Sequence, residues 1–161
     1  VPFFTSDLLS WLENTAVAAA IRQSLWLYPA LEIVHITGIV ILVGAAFMFD
    51  LRLLGFSKSL SILGLSRHLL PWSRRALLLV IPSGILLFMT NSKTLGIDPT
   101  FWLKMALLVI AALNVLVFHK LLFKPKSDTQ TQELPFSTKI SALVSITVWV
   151  AIIACGRLLA Y

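Results

Sequence analysis

Glu32 and His35 stand three residues apart in a stretch that is otherwise almost wholly apolar, and they are the first residues of this chain with chemistry to offer. Histidine is the commonest metal ligand and a usual axial ligand of haem. A Glu-x-x-His spacing also occurs in carboxylate-bridged di-metal bundles, where it comes in two copies with further glutamates. This sequence has no second copy, and the apolar run that follows supplies no acid or histidine, so a di-iron centre is not expected. A mononuclear copper or zinc site built on Glu32 and His35, with Met105 as a soft ligand, is one candidate.

Haem b is the other candidate. The ligands available are His35, His119, His68 and Met105. Gly38 lies one helical turn from His35, where a missing side chain would let a flat macrocycle approach. Two axial ligands must sit at nearly the same depth. His35 and His119 differ by about 15 Å of helical rise, whereas Met105 matches His35 better, and His/Met ligation is chemically allowed. His119 could instead meet His68 if the segment carrying the latter folds inward.

The remaining ionisable residues sort by depth. Glu32, Lys104 and Arg157 fall about 10–12 Å to one side of the midpoints of their runs, which predicts that Glu32 pairs with Lys104, Arg157 or both. Asp50, Arg74, Arg75 and His119 fall at a comparable depth on the other side. Asp50 follows Glu32 by five full helical turns, so the two carboxylates share one helix face, expected to look into a bundle.

The elements that must position these groups are four apolar runs, at about 26–50, 72–90, 101–122 and 140–160. Each approaches the ~20 residues that a helix needs to cross ~30 Å of hydrocarbon. The expected fold is all-α: a polytopic four-helix up-down bundle over residues 24–161, preceded by an amphipathic interfacial helix within residues 1–23. That first helix is expected to cover 6–23 without a break, capped by Ser6 or Asp7, with Trp11 at head-group level. The stretch 56–71 predicts a separate short helix stopped by Pro71. Pro82-Ser83-Gly84 predicts a kink in the second run. Pro99 is expected to open the third.

Composition agrees with lipid as the principal partner. The chain is 58% hydrophobic and 12% charged, against about 25% charged in soluble domains. Its net charge of +6 does not indicate nucleic acid, because the charge is placed by topology. Arg52, Lys58, Arg67, Arg74, Arg75, Lys120, Lys124, Lys126 and Lys139 all fall between runs one and two or between runs three and four, or at the ends of those runs that adjoin the two connections. The positive-inside rule then puts those loops in the cytoplasm and both termini outside. Val1-Pro2-Phe3-Phe4 has no basic flank and is not read as a cleavable signal. Cys155 is single, so it forms no internal disulfide and reads as a small buried residue. No nucleophile elbow or phosphate-binding glycine loop supports a hydrolase.

Several ordered motifs carry a resemblance. Trp11-Leu12-Glu13-x-Thr15, Ile21-Arg22-x-Ser24-x-Trp26, Tyr28-Pro29-x-x-Glu32-x-x-His35-x-x-Gly38, Asp50-Leu51-Arg52-Leu53-Leu54-Gly55, Leu70-Pro71-Trp72, Asn114-x-x-x-x-His119 and Gly156-Arg157-x-x-Ala160-Tyr161 are similar to those of a bacterial family of small four-helix membrane proteins of unknown function. The resemblance spans essentially the whole chain and implies that fold and a bacterial inner-membrane location. It implies no activity.

The functional expectation from the residues is a b-type cytochrome-like protein that holds haem in the bundle for electron transfer with a quinone or another redox membrane protein. The alternatives are copper or zinc handling or transport by an oligomer, and an accessory subunit in which the charged clusters are buried ion pairs.

Overall fold

The computed structural model describes residues 5–118 and 135–159. They form seven helices and no strand: α1 (Ser6–Glu13), α2 (Ala16–Gln23), α3 (Leu27–Leu54), α4 (Ile62–Thr90), α5 (Ser92–Ile97), α6 (Pro99–Val117) and α7 (Phe136–Leu158). The fold is an all-α bundle, and α3, α4, α6 and α7 are each long and apolar enough to cross a membrane. Their outward faces carry leucine, isoleucine and valine, including Ile33, Val40, Leu78, Ile85, Val109 and Leu113. Water would leave so large an apolar exterior uncompensated, and lipid tails would not.

Local chemistry sets the helix ends. Gly55, at φ +106°, terminates α3 in a left-handed conformation that glycine adopts without steric cost. There the Phe56 N–H bonds the Leu51 carbonyl at 3.1 Å and the Gly55 N–H bonds the Arg52 carbonyl at 3.2 Å, the two bonds of a Schellman cap. Ser61 caps α4 through the Gly64 N–H at 3.1 Å. Asp98 caps α6 through the Thr100 N–H at 2.7 Å, and Pro99 takes the first helical position as expected.

Two expectations are corrected. The span 6–23 is two helices, because the Thr15 hydroxyl accepts from the Ala18 N–H at 3.3 Å and donates to the Leu12 carbonyl at 2.8 Å. A hydroxyl that competes this way for backbone partners ends one helix and caps the next. The first cap is Thr5, which accepts from the Leu8 N–H, rather than Ser6 or Asp7. Pro71 stops nothing: α4 runs through both Pro71 and Pro82. The carbonyl that Pro71 leaves unbonded belongs to Arg67, on an exposed part of the helix where solvent or head groups can satisfy it. At 29 residues α4 is about 43 Å long, so its first turns extend past a hydrocarbon core.

The long helices pack in the order α4–α3–α7–α6, and among the described residues no close backbone approach joins α4 to α7 or α6, or α3 to α6. One apolar cluster (Val43, Ala111, Val148, Trp149, Ile152) ties α3, α6 and α7 together in mid-bundle. A second (Leu53, Phe118, Ala142) lies toward the end where α3 finishes and α7 begins. We call this the basic end, and the opposite one the cap end. At the cap end α1, α2 and α5 close over the bundle. The Ser92 hydroxyl, fully buried, donates to the Leu9 carbonyl at 2.7 Å, and the Leu9 side chain occupies the space beside Gly96. The Arg22 guanidinium donates to the Thr90 carbonyl at 3.2 Å, placing a cation at the C-terminus of α4.

At the basic end Arg52 is buried, which its place in a charged loop motif did not suggest. Its Nε donates to the Leu60 carbonyl at 2.7 Å and its Nη2 to the Lys58 carbonyl at 3.2 Å, so it clamps the α3–α4 connection. Arg52→Ala is expected to cost about 2 kcal/mol, because charge-assisted bonds are lost and two carbonyls are stranded. The check is thermal unfolding in detergent, against Arg67→Ala, which removes an exposed cation and should be close to neutral.

Candidate functional site

The His35 ring leaves α3 toward α4, where the sequence supplies Ser83 and Gly84. Its Nδ1 lies 2.9 Å from the Ser83 hydroxyl oxygen. Ser83 is buried and has one proton to give, which it directs at carbonyls of its own helix: Leu79 at 2.5 Å and Val80 at 3.2 Å. With its proton directed at a carbonyl, Ser83 can accept from His35 in the Nδ1–H tautomer, the form in which the Nε2 lone pair is available to a ligand. The Val80 carbonyl is a further acceptor for the ring. Gly84 makes room: a Cβ there would stand 3.0 Å from His35 Cε1, tighter than an ordinary contact, so a side chain at this position would press on the ring. Pro82, just before this pair, spares the helix a backbone donor in the same turn.

Lys104, on α6, reaches the same level of the bundle. Its charge acts on His35 and it lies close to Cys155, while its Nζ is 3.7 Å from where a Cβ on Gly156 would stand. Met105, the next residue along α6, is half-buried. Phe88 of α4 and Phe101 of α6 stack at 5.0 Å nearer the cap end. The cap-end half of the bundle thus carries a histidine, a lysine, a thiol and, beside the lysine in sequence, a thioether.

The other candidates lie elsewhere. Glu32 is exposed on α3 and its charge acts on the Tyr28 hydroxyl, one turn earlier; no ion pair joins it to Lys104 among the described residues. Arg157 is exposed in the last turn of α7. Gly38 does not hold space for a macrocycle. A Cβ there would lie 2.7 Å from Val80 Cγ2 and 3.2 Å from Leu79 Cβ, so α4 already fills the gap. His68 is exposed on α4, beside a shallow cavity of about 290 Å³ lined by Leu60, Ser61, Gly64 and Leu65. Fifteen residues separate it from Ser83, about 22 Å of rise, so it does not fold inward to this site. His119 lies outside the described residues. Among the described residues no three His, Cys, Asp or Glu side chains converge as a metal site.

The second acid behaves differently from the first. The face of α3 that bears both carboxylates becomes more enclosed along its length: Glu32 is exposed, Ile39 and Leu42 are half-buried, and Asp50 is 6% exposed. Arg74 and Arg75 do not meet Asp50. They are exposed on α4, whose close backbone neighbour among the long helices is α3, and Arg75 stacks over the Trp72 ring at 5.4 Å. Asp50 instead lies within hydrogen-bonding reach of the Ser145 hydroxyl on α7. One turn along α7, Ser141 and Asn114 of α6 form a reciprocal clasp: the Ser141 hydroxyl donates to Asn114 Oδ1 at 2.9 Å, and Asn114 Nδ2 donates to the Ser141 carbonyl at 3.0 Å. Ser83, Gly84, Ser145 and the Asn114–Ser141 pair were not foreseen as site residues. Their signal was the 3–4-residue spacing of Thr138, Ser141 and Ser145, and a serine–glycine pair in mid-run.

The sequence profile of a family of unknown function (DUF6644) matches residues 9–161, and the chain belongs to that family. No curated protein and no solved structure matches it.

Proposed function

We propose that the chain is a membrane-embedded b-type haem protein of electron transfer, in which His35 would hold the haem through Nε2. The observation that carries this reading is the His35–Ser83 hydrogen bond. A ligating histidine ordinarily donates its other ring N–H to a protein acceptor, which fixes the tautomer and enriches the ligating nitrogen. Ser83, itself committed as a donor to Leu79 and Val80, is such an acceptor. Gly84 keeps the ring in place from the α4 side. Met105 is the better second ligand. Its position along α6 matches the depth of His35, whereas His119 lies 14 residues further along the chain. When bound, haem would supply one-electron redox chemistry, and the residues of this chain would set its position and potential. Lys104 would neutralise a propionate. A quinone or another redox membrane protein would exchange the electron. The excess of Lys and Arg at the basic end supports placing that end in the cytoplasm of a bacterial inner membrane, with both termini outside.

Ser83→Ala tests this reading without touching the ligand. It removes the acceptor for Nδ1–H and should lower haem retention about tenfold. It should also raise the midpoint potential, because a less electron-rich imidazole stabilises the oxidised iron less. Unchanged haem content and potential would remove the main support.

A further inference from the structure

We infer that Asp50 and Ser145 form a proton-binding site that exchanges with the basic end of the bundle, independent of the His35 site. Asp50 is 6% and Ser145 6% exposed. The Ser145 hydroxyl lies within hydrogen-bonding reach of the carboxyl, whose Oδ2 is buried without any hydrogen-bond partner. An ionised carboxylate in that position would lack a counter-charge among the described residues, and such a charge is costly enough that the group takes up a proton instead.

Nothing charged faces it among the described residues. On α3, Arg52 is turned to the carbonyls of Lys58 and Leu60. On α7 the facing side chains are hydroxyls, and Lys139 is exposed. On α6, Asn114 is held by Ser141, and Phe118 packs with Phe49. On α4, Arg67, His68, Arg74 and Arg75 are exposed. A metal cation is a poor occupant, since hard cations take about six or more oxygens and Asn114 and Ser141 have spent theirs on each other. A proton needs one lone pair.

Among the described residues the two ends of the site differ. Toward the cap end the site is closed by Val43, Ala111, Val148, Trp149 and Ile152. Toward the basic end α7 carries buried hydroxyls at Ser141 and Thr138, a polar strip about 10 Å long beside the Leu53–Phe118–Ala142 cluster. In the exchange step the O–H bond at Oδ2 breaks, the proton passes to a water molecule drawn in along that strip, and the carboxylate left behind keeps its bond from Ser145.

The test is the infrared spectrum of the full chain in lipid vesicles at neutral pH. The site predicts a carboxylic-acid C=O band that shifts down in D₂O, disappears in Asp50→Asn and moves to higher frequency in Ser145→Ala, where the carbonyl loses its donor. A wild-type spectrum with no acid band overturns the proposal. So does a band that survives in Asp50→Asn, which would assign it to another acid such as Glu32, or one that D₂O or Ser145→Ala leaves unmoved. If Asp50→Asn does not fold, the Ser145→Ala shift decides. The reading does not depend on haem content, so its failure and that of the haem proposal are separable.

Discussion

His35→Ala is expected to abolish haem binding, lowering the haem content of purified protein by more than about tenfold while the helical fold persists. The magnitude follows from the roles assigned around the ring. Loss of a partner beyond the ligand typically costs 10–100-fold in affinity, and loss of the ligand itself costs more. The fold should survive because the ring sits between α3 and α4 beside Ser83 and Gly84, away from the clusters that join α3, α6 and α7. Far-ultraviolet circular dichroism reports the helices and a pyridine haemochrome assay reports the haem. Haem content equal to wild type in His35→Ala would remove His35 from the ligand set.

The second large effect is on packing. Gly38→Leu should destabilise the protein by about 3 kcal/mol, the upper part of the range for overpacking a close contact. At this crossing a Cβ would meet Val80 Cγ2 at 2.7 Å, Leu79 Cβ at 3.2 Å and the Ala76 carbonyl at 3.4 Å, and a backbone oxygen has little room to yield. The helices must separate to admit the side chain. Among the long helices α4 has only α3 as a close backbone neighbour, so the strain has no second interface over which to spread. Gly44→Leu is the matched control, since a Cβ there meets nothing within 4 Å. Thermal unfolding in detergent should show a large loss for Gly38→Leu and almost none for Gly44→Leu. Equal behaviour would mean that α3 and α4 are not packed through Gly38.

Residue by residue, legibility in the sequence follows how local the cause is. The four runs were readable because apolar length is a local property, and Pro99 was readable because a helix start needs only its own turn. Pro71 misled because a proline's effect depends on whether the carbonyl it strands can be satisfied, and the Arg67 carbonyl is on an exposed turn. The break at Thr15 was missed because a hydroxyl at helical spacing reads as part of a face until its own hydrogen bonds are counted. Glu32 and Asp50 do share a face, as their spacing required, yet one is exposed and the other buried. Periodicity gives the angle about an axis, whereas burial depends on which helix lies alongside at that height. His35 was recognisable from its residue type. Ser83 and Gly84 became site residues only through the crossing of α4 on α3, which no spacing within one helix could disclose.

The most direct measurement is the visible absorption spectrum of the full chain, produced in haem-replete cells and purified in detergent. The account predicts a sharp Soret band and, on reduction, the split α and β bands of low-spin b-type haem, at an amount equivalent to the chain. A colourless preparation with intact helicity would contradict it.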